Sequence, residues 1–179
     1  MKMVEERSEG LRAERALKTE VHTERYTVLG VIRTRHERLK DALENWFHPF
    51  LPLEEAVVLH RDPSGKAIRE EVGSVMVRLE EIVIAMPYED IPPSDRSHHP
   101  NFVPKYPIPT LIQTGRMEIE GKIFIRQEEE AEFGIISSPE PFVAVTEAKV
   151  SYPHDEHIPP LTSQVVLVNR DRIQLIRRI

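Results

Sequence analysis

The sequence contains no cysteine among its 179 residues. This absence excludes disulfide bonds, thiolate nucleophiles and metal sites built on cysteine. Long apolar runs are absent too: the stretch Val165–Val168 is among the longest, whereas a membrane-spanning helix needs about 20 apolar residues. The first residues, MKMVEERSEG, carry charges where a signal peptide needs an apolar core. We therefore expect a cytoplasmic protein that does not associate with a membrane.

Positive charge is also scarce, because 24 Lys and Arg residues stand against 30 Asp and Glu residues, which gives a formal net charge of −6. Nucleic acids and anionic membranes attract clustered basic side chains, so this balance argues against broad binding to either. The densest basic group contains Arg170, Arg172, Arg177 and Arg178. Arg170 and Arg172 are our candidates for a local RNA-binding patch, and the alternative is that these side chains are simply solvated.

One pattern occurs twice. The stretch TLIQTGRMEIEGKIFI (Thr110–Ile125) has an earlier copy about ninety residues before it, TEVHTERYTVLGVIRT. When Gly30 is placed on Gly121, further residues match in three blocks, with one-residue shifts confined to predicted loops. The matched pairs include Thr23 with Thr114, Arg25 with Arg116, Ile32 with Ile123, Pro49 with Pro141, Glu55 with Glu147, Val77 with Val168, and Ile82 with Ile173. The order of the blocks favours an internal duplication over two halves that share only generic strand patterns.

The later copy has the period of a half-buried strand. Met117, Ile119, Ile123 and Ile125 take every second position around Gly121, with charged residues between them. A glycine inside a strand often marks a bend or bulge, which is what a small barrel needs in order to curl. Each half is therefore predicted to contain a hairpin whose second strand bends at a glycine.

The first half also contains a helical pattern. Between Arg35 and Phe47 the apolar residues follow the spacing of one helix face, and they are Leu39, Ala42, Leu43, Trp46 and Phe47. His48-Pro49 ends the predicted helix. Trp46 is interpreted as a packing residue, with stacking against a ligand as the alternative.

These observations divide the sequence into four parts. We predict a charged N-terminal helix or tail (1–18), a first β unit (19–86), a proline-rich connector (87–109) and a second β unit (110–179). The connector holds seven of the fifteen prolines. Proline at this density favours extended chain without ladder hydrogen bonds, so the connector is predicted to be semi-rigid.

Few groups of residues in the sequence have the side chains needed for metal binding or catalysis. His154, Asp155 and His157 offer ligand types that bind divalent metal ions, and the alternative is a solvent-exposed loop. No serine lies in a G-x-S-x-G context, and the carboxylates occur in adjacent runs that are typical of solvated faces. We therefore expect no enzymatic activity and no cofactor.

Three segments resemble a known family. LIQTGRMEIEGKIFI is similar to the first sequence motif of the Sm and Sm-like family, and SQVVLVNRDRIQLI to the second. GSVMVRLEEIVI, in the first half, is a looser version of the second motif. RLKDALEN (Arg38–Asn45) is similar to a segment of an uncharacterised bacterial domain family, where it precedes a strand rich in Phe and Leu.

The resemblance implies a mainly β protein of two tandem small Sm-like or SH3-like β-barrels, with a short helix in the first unit. Of the RNA-contacting residues of that family, only Arg170 has a counterpart here, because the acidic-x-x-Met-Asn cluster is absent from both halves. We expect a non-catalytic scaffold or protein-interaction module that associates with itself or with a protein partner. An RNA-binding regulator is the alternative, and a metal-binding protein comes third.

Overall fold

The computed structural model describes residues 14–88, 105–126, 139–155 and 157–179. Within these ranges the chain forms ten strands and one short α-helix. The strands are β1 (Arg15–His22), β2 (Thr27–Thr34), β3 (Phe50–Arg61), β4 (Ala67–Arg78), β5 (Ile84–Pro87), β6 (Lys105–Gln113), β7 (Glu118–Arg126), β8 (Phe142–Ser151), β9 (Leu161–Asn169) and β10 (Leu175–Arg178). The helix is α1 (Leu39–Glu44), and 3-10 turns lie at Leu79–Glu81 and Arg170–Arg172. No helix in the described ranges is long and apolar enough to span a membrane.

All ten strands belong to one open antiparallel sheet with the order β10-β6-β7-β8-β9-β5-β1-β2-β3-β4. Below, residues 14–88 are the first half and residues 105–179 the second half. The first half has the order β5-β1-β2-β3-β4, and the second half repeats it as β10-β6-β7-β8-β9. The pairing of β5 with β9 joins the halves. A mainly β chain with a short helix in its first half is thus confirmed, and its strands form one continuous open sheet.

The same local hydrogen bonds occur in both halves. Gly121 lies 91 positions after Gly30, and several backbone bonds of the first half have a match in the second half at this offset or one residue beyond it. The matched bonds are Thr23 N to Tyr26 O (2.8 Å) with Thr114 N to Met117 O (2.9 Å), Leu79 N to Pro49 O (2.9 Å) with Arg170 N to Pro141 O (2.9 Å), and Val83 N to His22 O (2.8 Å) with Gln174 N to Gln113 O (2.9 Å). We call residues matched in this way counterparts.

Glycine is required where two strands bend. The pairing register shifts at Gly30 between β2 and β3, and at Gly121 between β7 and β8. A Cβ atom at Gly121 would lie 2.6 Å from Val145 Cγ1 and 2.8 Å from the carbonyl oxygen of Thr146. A Cβ atom at Gly30 would lie 2.9 Å from Leu53 Cβ. The predicted bend at each glycine is therefore confirmed, because the neighbouring strand passes too close for a side chain.

Two apolar clusters form the core, and each takes side chains from both halves. The cluster of the first half includes Phe142 and Leu167 from the second half. The cluster of the second half includes Val83, Ile84 and Met86 from the first half. Burial of apolar area therefore ties the halves together, in addition to the β5–β9 backbone pairing.

The helix is shorter than the sequence pattern predicted. It begins at Leu39 and ends at Glu44, so Trp46 and Phe47 lie beyond it. Trp46 is half-buried against the core of the first half, and its Nε1 donates a hydrogen bond to the carbonyl of Phe50 (2.9 Å). Phe47, which we expected on the packed face, is 95% exposed.

The N-terminal boundary predicted at residue 18 is wrong. β1 begins at Arg15 and pairs with β2 from Arg15 opposite Thr34 onward. Ladder hydrogen bonds to β2 here outweigh the local helix preference of residues 15–18. The rest of the predicted tail, residues 1–13, lies outside the described residues.

The connector boundaries also move. Pro87 belongs to β5, and residues 105–109 form the start of β6, so only residues 89–104, which lie outside the described ranges, remain for it. Pro107 and Pro109 are tolerated in β6 because of the side that they face. The carbonyl of Pro109 accepts a hydrogen bond from Ile179 N (3.1 Å), so the missing N–H also points toward β10, where that strand ends.

Gly121→Ala should destabilise the fold, because the added methyl group meets Val145 and the backbone of Thr146. Overpacking of this kind typically costs about 1–3 kcal/mol in the free energy of unfolding. Gly115→Ala is the matched control, since its Cβ would meet only the movable carboxylate of Glu24. Urea denaturation followed by circular dichroism measures both variants, and equal free energies of unfolding would contradict the close-approach argument.

Candidate functional site

The first and last strands of the sheet each have a neighbour on one side only within the described residues. β4 pairs with β3, and β10 pairs with β6. An edge strand presents unpaired backbone N–H and C=O groups, which can pair with another strand. The two edges are therefore the main candidate interaction surfaces.

Both edges carry exposed apolar side chains. On β4, Val72 is 41% exposed and Met76 is 57% exposed. On β10 and directly after it, Leu175 is 43% exposed and Ile179 is 49% exposed. Charged residues that discourage pairing are common on natural edge strands, and both edges have them too, such as Glu71 on β4 and Arg177 on β10. These edges therefore combine unpaired backbone groups with both apolar and charged side chains.

The pairing of β5 with β9, which we call the junction, shows how such edge positions are packed when a partner strand is present. There, Ile84 of β5 lies opposite Val168 of β9, and Ala85 lies opposite Leu167. Leu175 is the counterpart of Ile84, and Met76 is the counterpart of Leu167. At the junction Ile84 and Leu167 are 0% and 2% exposed. Leu175 and Met76 thus occupy positions whose counterparts are fully buried where β5 meets β9.

An apolar groove of about 400 Å³ runs beside β4. Its apolar walls include Val28, Val58, Val75 and Val77. The counterparts of these four residues in the second half are Ile119, Val150, Val166 and Val168. They belong to the cluster that also contains Ile84 and Met86 of β5. The groove is therefore lined by counterparts of residues that share a buried cluster with β5 in the other half, where Val168 lies opposite Ile84.

A buried polar cluster connects the halves at the junction. His22 is 3% exposed, and its Nε2 lies 2.7 Å from Glu20 Oε1. Its Nδ1 lies 3.1 Å from the Tyr152 hydroxyl and 3.2 Å from Thr27 Oγ1. This network fits an imidazole that donates from Nε2 to the carboxylate and accepts at Nδ1. The cluster satisfies the polar groups that the junction buries.

Burial raises the pKa of Tyr152 to about 12, with Glu20 adding to the increase and Arg116 opposing it. The phenol is therefore neutral at physiological pH and serves as a hydrogen-bonding group. Arg116 itself donates a hydrogen bond to the carbonyl of Glu24 in the other half. A cavity of about 690 Å³ lies above this cluster.

The two arginines predicted to bind RNA lie in one 3-10 turn, and Arg172 is engaged within the protein. Its Nε donates to the carbonyl of Glu80 (2.8 Å), and its Nη2 lies 3.0 Å from Glu81 Oε2. Arg170 begins the turn, where its backbone N–H bonds to Pro141. Arg172 thus fastens the second half to the 3-10 turn of the first half.

The predicted metal ligands lie in the loop between β8 and β9. His154 and His157 are exposed, and Asp155 is half-buried. Asp155 Oδ1 accepts a hydrogen bond from the backbone of His157 (3.1 Å), and its Oδ2 lies 3.8 Å from Arg61 Nε. Among the described residues, no three His, Asp or Glu side chains are grouped so that they could hold a metal ion.

Sequence reasoning missed the cluster around His22. His22 and Tyr152 are 130 residues apart, and nothing in either local pattern indicates that they meet. Only the pairing of β5 with β9 brings them together, and that pairing joins two segments whose partners cannot be read from alternation alone.

Comparisons of the sequence with protein-family models, with curated proteins and with solved structures found no match. The strand edges and the junction are therefore the features of the molecule that bear on its function.

Tyr152→Phe should weaken the junction, because it removes the hydroxyl that bonds to His22 while keeping the buried ring. Loss of one such hydrogen bond costs about 0.5–1.5 kcal/mol in the free energy of unfolding. Tyr88→Phe is the control, since Tyr88 is 60% exposed. Urea titration at neutral pH compares the two, and the hydrogen bond has no structural weight if their unfolding midpoints coincide.

Proposed function

We propose that the protein is a non-catalytic scaffold that associates with itself through its strand edges. In this proposal the two halves are duplicated Sm-like units, which explains why they have the same strand order, the same turn hydrogen bonds and a glycine at equivalent bends. Each half contributes five strands, and the halves are joined in one open sheet by β5 and β9.

One observation carries the proposal. Met76 and Leu175 are exposed on the free edges, whereas their counterparts Leu167 and Ile84 are buried between paired strands. These two strand positions are therefore buried where a partner strand is present and exposed where no partner strand lies within the described part of the chain.

The energetics require both edge pairing and apolar burial. Burying a Leu or Met side chain contributes about 1.5–3 kcal/mol, whereas association costs at least about 4 kcal/mol in lost freedom of motion. One side chain is therefore insufficient. Several side chains from two edges, together with a row of backbone hydrogen bonds, can exceed this cost.

The two alternatives predicted from the sequence gain no supporting contact in the described residues. Arg172, a candidate for RNA binding, is bound to Glu80 and Glu81. Asp155, a candidate metal ligand, faces Arg61 and the backbone of His157. Self-association is supported by a specific surface, which is formed by the two edge strands β4 and β10.

Light scattering after size-exclusion chromatography should give a mass above the 20.7 kDa of one chain, and the mass should rise with concentration. Met76→Lys should lower it toward the monomer, because a lysine on an edge strand cannot be buried against a second strand without losing its hydration. Phe47→Lys is the matched control, since Phe47 is 95% exposed and belongs to neither edge strand.

The proposal is wrong if light scattering gives the mass of one chain at every concentration, or if the two lysine variants change the mass equally.

A further inference from the structure

Each of the four loops that join paired strands by a hairpin contributes to the cavity of about 690 Å³ above the His22 cluster. The loops are 23–26 between β1 and β2, 62–66 between β3 and β4, 114–117 between β6 and β7, and 152–160 between β8 and β9. The volume lies within the range of ligand pockets, which is about 300–1,000 Å³. We propose that this cavity binds a small aromatic carboxylate, whose anionic group is held between Arg25 and Arg116. The cavity is separate from the surfaces of the proposed self-association, because neither Met76 nor Leu175 lines it.

The two arginines are counterparts of each other, and they line the same cavity only because the halves are joined. Arg25 lies in the first turn of the first half, and Arg116 lies 91 positions later in the equivalent turn of the second half. Arg116 also donates a hydrogen bond to the carbonyl of Glu24, the neighbour of Arg25. The duplication and the junction thus place two equivalent cations at one cavity, which neither half has alone.

Neither of these arginines is neutralised by a carboxylate. In the part of the chain that the structure describes, Arg25 and Arg116 form no ion pair, and both residues are exposed. Arg116 uses one N–H group for the Glu24 carbonyl, whereas a guanidinium has five. A guanidinium can present two parallel N–H donors to one carboxylate, which makes the contact both strong and directional. The two side chains therefore match an organic acid.

The other two arginines of the lining already have acidic partners. Arg69 Nη1 lies 2.8 Å from Glu71 Oε1, and Arg61 Nε lies 3.8 Å from Asp155 Oδ2. Arg61 also donates from Nη1 to the carbonyl of Gly65 (2.8 Å). These two cations are held by the protein, so the ligand's anionic group is assigned to the other pair.

Two carboxylates line the cavity, and both are engaged locally. Glu20 Oε1 lies 2.7 Å from His22 Nε2. Asp62 Oδ1 accepts hydrogen bonds from the hydroxyl (2.6 Å) and the backbone N–H (2.9 Å) of Ser64, and such bonds lower the pKa of Asp62. The cavity therefore keeps positive charge at its exposed arginines, although the whole chain has a formal net charge of −6.

The floor of the cavity determines how the ligand is oriented. Tyr152 is 9% exposed, and its hydroxyl lies 3.1 Å from His22 Nδ1. Burial and, after it, the negative charge of Glu20 raise the pKa of Tyr152 to about 12. The same surroundings disfavour any further negative charge at the floor. The anionic group of the ligand therefore lies at the mouth, beside the exposed arginines.

The wall of the cavity is aromatic and apolar. The rings of Tyr26 and His60 have centroids 5.7 Å apart and are tilted by 55°, and Tyr26 is 46% exposed. Ile68, Ile158 and Leu161 add apolar side chains that are only partly buried. A planar ring gains from apolar burial and from tilted or offset contact with other rings. Together, this wall and the cationic mouth favour an aromatic ring that carries a carboxylate.

NMR titration of the backbone amides with cinnamate tests the site, and cinnamyl alcohol is the matched neutral probe. Cinnamate should shift the amide signals of residues 23–26 and 114–117 in a saturable way. The alcohol has the same ring but no charge, so it should bind about tenfold more weakly, because it cannot form charge-assisted hydrogen bonds to the arginines. Cinnamate that causes no saturable shifts, or equal affinity for the two probes, would overturn the proposal.

Arg25→Ala should raise the dissociation constant for cinnamate about tenfold, because one of the two guanidinium contacts is lost. Arg35→Ala is the matched control, since Arg35 is exposed, carries the same charge and does not line the cavity. Equal dissociation constants for the two variants would show that cinnamate binds elsewhere, and this result would overturn the proposed site.

Ile68→Asp changes the wall and leaves the arginines in place. Its carboxylate should repel the bound anion and weaken cinnamate binding about tenfold. Val72→Asp is the control, because Val72 lies on the same strand, is 41% exposed and does not line the cavity. An equal effect of the two variants would contradict the site. Light scattering of the same samples records self-association separately, so failure of the ligand site and failure of the scaffold are distinguished.

Discussion

Backbone groups at the edge of a sheet must bond to water or to another strand, and this constraint organises the whole molecule. Within the described chain one pair of edges satisfies this constraint, at the junction where β5 pairs with β9 and each half packs apolar side chains into the core of the other. The junction also buries polar groups, which bond to each other in the His22 cluster and through the Asn169 amide. The junction is thus a complete solution to the edge problem.

The outer edges present the same problem without a solution inside the described chain. Met76 on β4 and Leu175 on β10 are exposed at positions whose counterparts, Leu167 and Ile84, are buried at the junction. A groove beside β4 is lined by counterparts of residues that share a buried cluster with Ile84. The proposed self-association would explain these features, because the sheet would then continue into another copy.

Much of this architecture can be predicted from the sequence, because it depends on local period and on glycine. Alternation around Gly30 and Gly121 predicts the bent strands, and the helical spacing from Leu39 to Leu43 predicts α1. The limits of these elements are less accessible. Residues 15–18 have helix-forming side chains, yet they pair with β2, because a nonlocal ladder outweighs a weak local preference.

The candidate site is harder to predict from the sequence, because the order of the strands decides which strands lie at an edge of the sheet and which lie at the junction. The spacing of His154 and His157 predicts a metal site, whereas the buried His22 has no such pattern and meets Tyr152 only through the β5–β9 pairing. Likewise, no local feature of the sequence around Met76 shows whether this residue lies at an open edge or at the junction. Only the comparison with its counterpart Leu167, which is 2% exposed, shows that a residue at this position is buried when a partner strand is present.

Hydrogen–deuterium exchange of the β4 and β10 amides, measured by mass spectrometry at low and at high protein concentration, tests the central claim most directly. If copies continue the sheet, the outward-facing amides of both edge strands exchange rapidly in dilute protein and become protected together as the concentration rises, while the β5–β9 amides are protected throughout. Fast exchange at both edges at every concentration, or protection of one edge without the other, would contradict the account.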